Sequence, residues 1–313
     1  MFIAENDIKA RVEQLTGTHV WNEIIFCEDT SNYMKISRGE VLLFGDEQYY
    51  VLGNMYEGRF TLDDYPKYWV KSAIELSTGK KKILKWKFEE EVLFKVGDVQ
   101  IKCQRNSEKE SAILKLGKGN FCFMQGETFS DSQGNPVKII DYIKGDSFYN
   151  YLSNLTLDHQ IYFSEIFPGL LSQLKELFIG LQIIHRNNYV HGDIRNDHIF
   201  MDNQLKVLRW IDFDLEQDFS DFDIWSIGNI LLYAVGMGEH TFANEARKKS
   251  LPLLTHDDAS AFMQYRIINL KKLFPYIPEN INSILMRFSK NTSVFYDNIG
   301  QIIEDLEETL DTL

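Results

Sequence analysis

Cysteine is scarce in this chain. There are three, Cys27, Cys103 and Cys122, an odd number at wide spacing with no CxxC pair. That pattern excludes a disulfide framework and gives no zinc signature, so buried free thiols in a reducing compartment are expected. Long apolar runs are also missing. Nothing approaches the ~20 residues that span a bilayer, so no membrane span is expected. The start, Met1-Phe2-Ile3-Ala4-Glu5-Asn6-Asp7, has no basic region leading into an apolar core and does not read as a signal peptide, which makes a cytoplasmic location the expectation. Basic charge is short too: 33 Lys and Arg stand against 46 Asp and Glu, for a formal net charge of −13. Such a chain is repelled by a phosphate backbone, which argues against general nucleic-acid binding but not against a local basic pocket for a nucleotide. No internal repeat or low-complexity tract is present. What remains is 313 residues, 44% hydrophobic and 25% charged, enough for one large core or two smaller ones.

The patterning changes along the chain. Residues 7–16 suit a short helix. Tyr33–Ile36, Val41–Phe44 and Gln48–Leu52 read as short strands, broken at Arg38-Gly39 and Gly45-Asp46. Trp69–Leu76 and Lys82–Phe88 read as a hairpin around the polar turn Ser77-Thr78-Gly79-Lys80. Ser107–Leu116 has helical periodicity, and Phe121–Phe129 with Val137–Ile143 forms a further strand pair joined at Asp131–Asn135. Beyond Gly145 the character becomes helical. Residues 161–187 carry Leu170, Leu171, Leu174, Leu177, Phe178, Leu181 and Ile184 at helical spacing, residues 223–235 form a second apolar helix, and Pro278–Leu310 holds two more. Strands followed by helices in this way imply an α+β protein with two lobes and a cleft between them. The expected division is an N-terminal extension over 1–50, a strand-rich lobe over 51–145 and a helical lobe over 146–313.

The chemistry concentrates after the long helix, in Tyr189-Val190-His191-Gly192-Asp193-Ile194-Arg195-Asn196-Asp197-His198. A short strand, Leu205–Ile211, then leads into Asp212-Phe213-Asp214, and Asp223-Ile224-Trp225-Ser226-Ile227-Gly228 follows. In this order and on this frame the segments resemble the protein kinase superfamily, both its bacterial Ser/Thr protein kinases and its aminoglycoside phosphotransferase-type members. The resemblance covers about residues 50–310 and is more specific in the helical half. It implies a bilobal protein kinase-like fold, and an ATP-dependent transfer of the γ-phosphate to a hydroxyl acceptor, protein or small molecule, with Mg²⁺ or Mn²⁺. Such chemistry needs an aligned hydroxyl, charge neutralisation and metal on the phosphate oxygens. By the resemblance Asp193 is the catalytic carboxylate, Asp212 and His198 hold metal, and Asp214 is a further metal candidate. Asp223 braces the backbone of the catalytic loop. In the strand-rich half, Lys82-Ile83-Leu84-Lys85 resembles the strand that carries the phosphate-pairing lysine, which makes Lys85 the candidate and Lys87 its alternative. The partner carboxylate is Glu110, with Glu108 as runner-up. Ile139-Ile140-Asp141-Tyr142-Ile143-Lys144-Gly145 resembles the hinge that meets adenine through its backbone, at Asp141 and Ile143.

Four departures qualify the resemblance. Aligned through Val70, the phosphate-loop position falls on Leu62–Tyr68, which has no glycine and carries Asp63 and Asp64; Gly53 and Gly58 lie upstream. His198 stands where the superfamily usually has Asn, and its softer imidazole favours Mn²⁺. Gly192 replaces the Arg through which activation-loop phosphorylation acts, so no such requirement is expected. The stretch from Asp212 to Asp223 is short and has no A-P-E, so the peptide platform of protein kinases is missing or rebuilt. An alternative is therefore a pseudokinase, a nucleotide-binding or scaffold module that has lost transfer. An adenylyl transfer with reversed nucleotide is a third possibility on which the residues are silent.

Overall fold

A computed structural model describes residues 5–57, 65–96, 99–217, 219, 221–247 and 254–313. The protein is mixed α+β, with a seven-stranded sheet, two three-stranded sheets and, among the described residues, nine α-helices. Its contacts divide it into two units. The first comprises Met1–Glu89, Asn106–Gly119 and Met124–Ile143, and the second Glu90–Arg105, Asn120–Phe123 and Lys144–Leu313.

In the first unit the strands are β1 (Phe26–Cys27), β2 (Val41–Phe44), β3 (Glu47–Glu57), β4 (Tyr65–Glu75), β5 (Lys81–Trp86), β8 (Gly126–Ser130) and β9 (Pro136–Asp141). They lie in the order β1-β2-β3-β4-β5-β9-β8. Turn chemistry sets the register. Phe44 pairs with Glu47 across a two-residue turn in which Gly45 adopts φ +60°, a left-handed value that the tight hairpin requires. One face of the sheet buries Leu42, Phe44, Tyr49, Val51, Ala73, Leu84, Trp86, Val137 and Ile139 in a single cluster, which draws β2 towards β9. The curl is fastened at Asp131, whose Oδ2 accepts from the Thr30 N–H at 2.6 Å and hydroxyl at 2.8 Å. Burial opposes ionisation there, but the Asn135 and Thr30 donors outweigh it and hold the Asp131 carboxyl down at about 2. Helix α1 (Glu5–Thr16) buries Ile8 and Val12, one turn apart, against Ile24, Val41, Tyr50 and Leu76. Helix α1 thus packs on the sheet that β1 and β2 extend. Helix α2 (Ser107–Leu116) is N-capped by Asn106, whose side chain accepts from the Glu108 and Lys109 N–H groups.

In the second unit, α5 (Phe167–Arg186) buries all seven of the expected apolar positions. Each such side chain contributes roughly 1.5–3 kcal/mol of burial. Gly180 is obligatory in this helix, because a Cβ there would lie 2.8 Å from Cβ of Cys122. Helix α6 (Phe222–Val235) is buried over most of its length, and α9 (Ile299–Leu310) packs on α5. Shorter helices are α3 (Phe148–Ser153), α4 (His159–Glu165), α7 (Phe242–Ala246) and α8 (Glu279–Met286). Strands β10 (Gly145–Ser147), β11 (Ile199–Asp202) and β12 (Val207–Trp210) make one small sheet. Strands β6 (Glu91–Val96), β7 (Val99–Arg105) and β13 (Leu215–Gln217) make the other.

Several expectations need correction. Tyr33–Lys35 is a 3₁₀ turn rather than a strand, with the Tyr33 ring stacked on Trp86 instead of alternating in a sheet. The helix expected over 161–187 is two helices, because Pro168 has no N–H to donate and sits in the first turn of α5, where none is needed. The strand expected from Phe121 begins only at Gly126; before it, the Asn120 side chain accepts from the Cys122 N–H and turns the chain. The β6–β7 hairpin was not expected at all, and it belongs to the second unit although its sequence lies inside the 51–145 region. Residues 65–67 of the expected phosphate loop are ladder residues of β4 paired with β3, while Leu62, Asp63, Asp64 and Gly58 lie outside the described residues. So do Met1–Ala4. No helix among the described residues is long and apolar enough to cross a membrane.

Candidate functional site

The first unit brings Lys85 and Glu110 together. Strand β5 presents Lys85 and the first turn of α2 presents Glu110, with Nζ 2.8 Å from Oε1. Glu110 is fully buried and Lys85 is buried. The alternatives behave differently: Lys87 lies past the end of β5, exposed and paired with Glu89, and Glu108 is an exposed residue whose N–H is capped by Asn106. A lysine that the sequence reading missed completes the cluster. Lys138, directly opposite Lys85 in the β5–β9 ladder, places its Nζ 2.8 Å from Oε2 of Glu110. Its signal was present: one charge inside the apolar strand Val137-Lys138-Ile139-Ile140 must find a buried counter-charge. At the end of β9, the exposed Asp141 carboxylate pairs with Lys82 at 2.7 Å, and its N–H donates to Gln125 O. The Tyr142 N–H donates to Lys81 O, whereas the Ile143 N–H makes no hydrogen bond among the described residues.

In the second unit the loop after α5 is held from beneath by Asp223, on the first turn of α6. Its Oδ2 accepts from the His191 N–H at 2.7 Å and its Oδ1 from the Gly192 N–H at 2.9 Å, while His185 Nε2 sits 2.8 Å from Oδ2. Burial alone would raise this carboxyl. The His185 hydrogen bond, the neighbouring His191 and His185 rings and the Gly192 N–H outweigh it, so Asp223 lies below the ordinary carboxylate range. Gly192 turns at φ +83°, a left-handed conformation that explains glycine at this place. The His191 ring is fully buried against Phe213, 4.5 Å between centroids, and Trp210, 5.0 Å. This packing ties the loop to the segment that carries Asp212.

Asp193, His198 and Asp212 converge. The Nδ1 of His198 lies 2.7 Å from the Asp193 carbonyl and 3.4 Å from Asp193 Oδ2, and its Nε2 lies 3.7 Å from Asp212 Oδ2. Arg195 Nη2 is 2.9 Å from the same Nε2 and also binds Asp197. The tautomer with its proton on Nδ1 satisfies both contacts: Nδ1–H donates to the carbonyl and Nε2 accepts from Arg195. The one lone pair of Nε2 is thus taken up by Arg195, with the Asp212 carboxylate 3.7 Å away. Asp212 holds φ +63°, a strained value for a residue with a Cβ.

Asp214, the further metal candidate, is paired with an arginine. Both its oxygens accept from Arg105 Nη1, at 2.9 and 3.0 Å, and Arg105 Nε binds Glu90 at 3.0 Å. Burial opposes the guanidinium charge, yet Asp214, Asp212 and Glu90 together raise its pKa. The carboxylate is therefore paired with a buried arginine from the β6–β7 hairpin. Alongside it, Leu215, Glu216 and Gln217 pair antiparallel with Arg105, Gln104 and Cys103. Among the described residues, no three His, Cys, Asp or Glu side chains are grouped to hold a metal ion by themselves. No family model matches the chain, and no curated protein matches it in sequence.

Proposed function

We propose that this chain has a bilobal protein kinase-like fold and acts as an ATP-dependent phosphotransferase, passing the γ-phosphate to a hydroxyl of a protein or small-molecule acceptor. The observation that carries the reading is the convergence of Asp193, His198 and Asp212 on a loop braced by Asp223. An acid able to orient a hydroxyl stands beside a nitrogen–carboxylate donor pair. The Lys85–Glu110 pair adds an independent argument, since a buried ammonium held by one carboxylate is the arrangement that orients a lysine towards phosphate. The Ile143 N–H, which makes no hydrogen bond among the described residues, suits an adenine ring nitrogen.

Mg²⁺ or Mn²⁺ would be held by Asp212 and His198 Nε2, with Arg195 turned away and phosphate oxygens making up the coordination. When bound, the ion would supply charge neutralisation on the phosphate. The protein's own residues do the rest. Asp193 accepts the acceptor hydroxyl's proton, Lys85 steadies phosphate, and His198 fixes the Asp193 main chain through Nδ1.

The pseudokinase alternative has one observation in its favour: Arg195 occupies the His198 nitrogen that a metal site would use. Titration of ATP into the protein by calorimetry, with Mg²⁺ and then Mn²⁺, separates the two. Metal-dependent binding that disappears in Asp212→Ala is the expected result. Binding with no metal requirement would favour the pseudokinase, and a folded protein that binds no ATP with either metal would overturn the catalytic reading.

A further inference from the structure

We propose that Lys138 is a positioning residue that locks α2, and with it Glu110, in place before any ligand arrives. The role given to Lys85 rests on the phosphotransferase reading. The lock rests on the geometry of the first unit alone.

Lys85 and Lys138 sit opposite each other on adjacent strands, so both ammonium groups rise from one face of the sheet. A single carboxylate lies between them, Oε1 at 2.8 Å from Lys85 and Oε2 at 2.8 Å from Lys138. Lys138 is 2% exposed and Glu110 0%. The Lys138 ammonium donates to Ser107 Oγ at 2.7 Å and to the Ser107 carbonyl at 3.3 Å, and it lies at ion-pair distance from Glu110 Oε2, an oxygen that accepts no hydrogen bond. All three contacts are made with the helix. Ser107 opens α2 and Glu110 lies one turn further on, so one side chain grips the helix at two successive levels. Thr128, on the neighbouring strand β8, adds a third attachment by donating to Ser111 Oγ at 2.9 Å. A helix fixed in this way by its own sheet needs no phosphorylation to set it, in keeping with glycine at position 192.

Hydrogen exchange on the full, ligand-free chain tests the lock. In Lys138→Met the amides of α2 should exchange at least tenfold faster than in wild type, while Lys85→Met should stay within threefold. Should Lys138→Met compromise folding, Ser107→Ala removes one acceptor and no charge, and should speed exchange about two- to fivefold. Wild-type protection of α2 in both Lys138→Met and Ser107→Ala would overturn the proposal, as would equal loosening by Lys85→Met.

A second arm uses ATP with Mn²⁺ in calorimetry. Lys138→Met alone should weaken binding at least fivefold, yet add nothing in the Lys85→Met background, because a positioning residue acts through the group it positions. Additive losses would overturn that role. A wild-type protein that binds no ATP would overturn the phosphotransferase reading and the part given to Lys85, while the exchange arm still decides the lock.

Discussion

The Lys85–Glu110–Lys138 cluster and the Asp193–His198–Asp212 loop are both built from charged residues, yet they differ in access to water. The first is sealed, with Glu110 and Lys138 at 0% and 2% exposure. In the second, the Asp193 and Asp212 side chains keep 23% and 15%. Sealed charges have lost their hydration and depend on one another, so removing one leaves the others stranded. Partly hydrated charges lean on water and stay open to a ligand. Disturbing the cluster should therefore be read mainly in stability, and disturbing the loop mainly in ligand chemistry.

The largest effect should come from Glu110→Ala, which takes away the carboxylate that lies between two buried ammonium groups. A loss of about 3–5 kcal/mol in denaturant unfolding is expected. The sharpening control is Glu110→Met with Lys85→Met and Lys138→Met, an apolar replacement of all three charges, which should recover most of that loss. If the triple variant were as unstable as Glu110→Ala, the cluster would not be held by charge pairing. Next, Asp223→Ala removes the acceptor for two loop amides and for His185, at about 2–3 kcal/mol. The Asp131 latch follows. Its carboxyl is held at about 2 in the folded protein, below the ordinary value near 4. A depressed folded pKa stabilises above the unfolded value and fades as pH falls through the folded one. Asp131→Asn should therefore lose roughly 2 kcal/mol at neutral pH and lack the wild-type decline between about pH 4 and pH 2. In the loop, His198→Asn should leave stability within about 1 kcal/mol while lowering the preference for Mn²⁺ over Mg²⁺ in ATP binding. The smallest effects belong to Lys87→Met and Glu108→Gln, expected within about 0.5 kcal/mol because both residues are exposed.

How much of this was legible in the sequence follows the same division. Local rules carried the buried face of α5, the α2 helix and the turn at Gly45, since periodicity and left-handed turn chemistry are properties of short segments. The order His191-Gly192-Asp193, Asp212 and Asp223 located the loop, because its bracing runs through neighbouring elements in chain order. Lys138 and Arg105 escaped for a different reason. Each side chain's role is set by a carboxylate far away in sequence, Glu110 for one and Asp214 for the other, and no spacing rule connects them. Arg105 gives Asp214 a partner that no local pattern announces. The β6–β7 hairpin was hidden because its pairing with β13 joins residues 103–105 to 215–217. Tyr33–Lys35 misled because aromatic and branched residues mark strand and packed turn alike.

The most direct test of the central claim is Mn²⁺ binding in the presence of ATP, followed by electron paramagnetic resonance in wild type, Asp212→Ala and Asp214→Asn. The account predicts ATP-dependent Mn²⁺ binding that is lost in Asp212→Ala and kept within about threefold in Asp214→Asn, because Asp214 serves Arg105. Wild-type Mn²⁺ binding by Asp212→Ala, or loss of binding confined to Asp214→Asn, would contradict it.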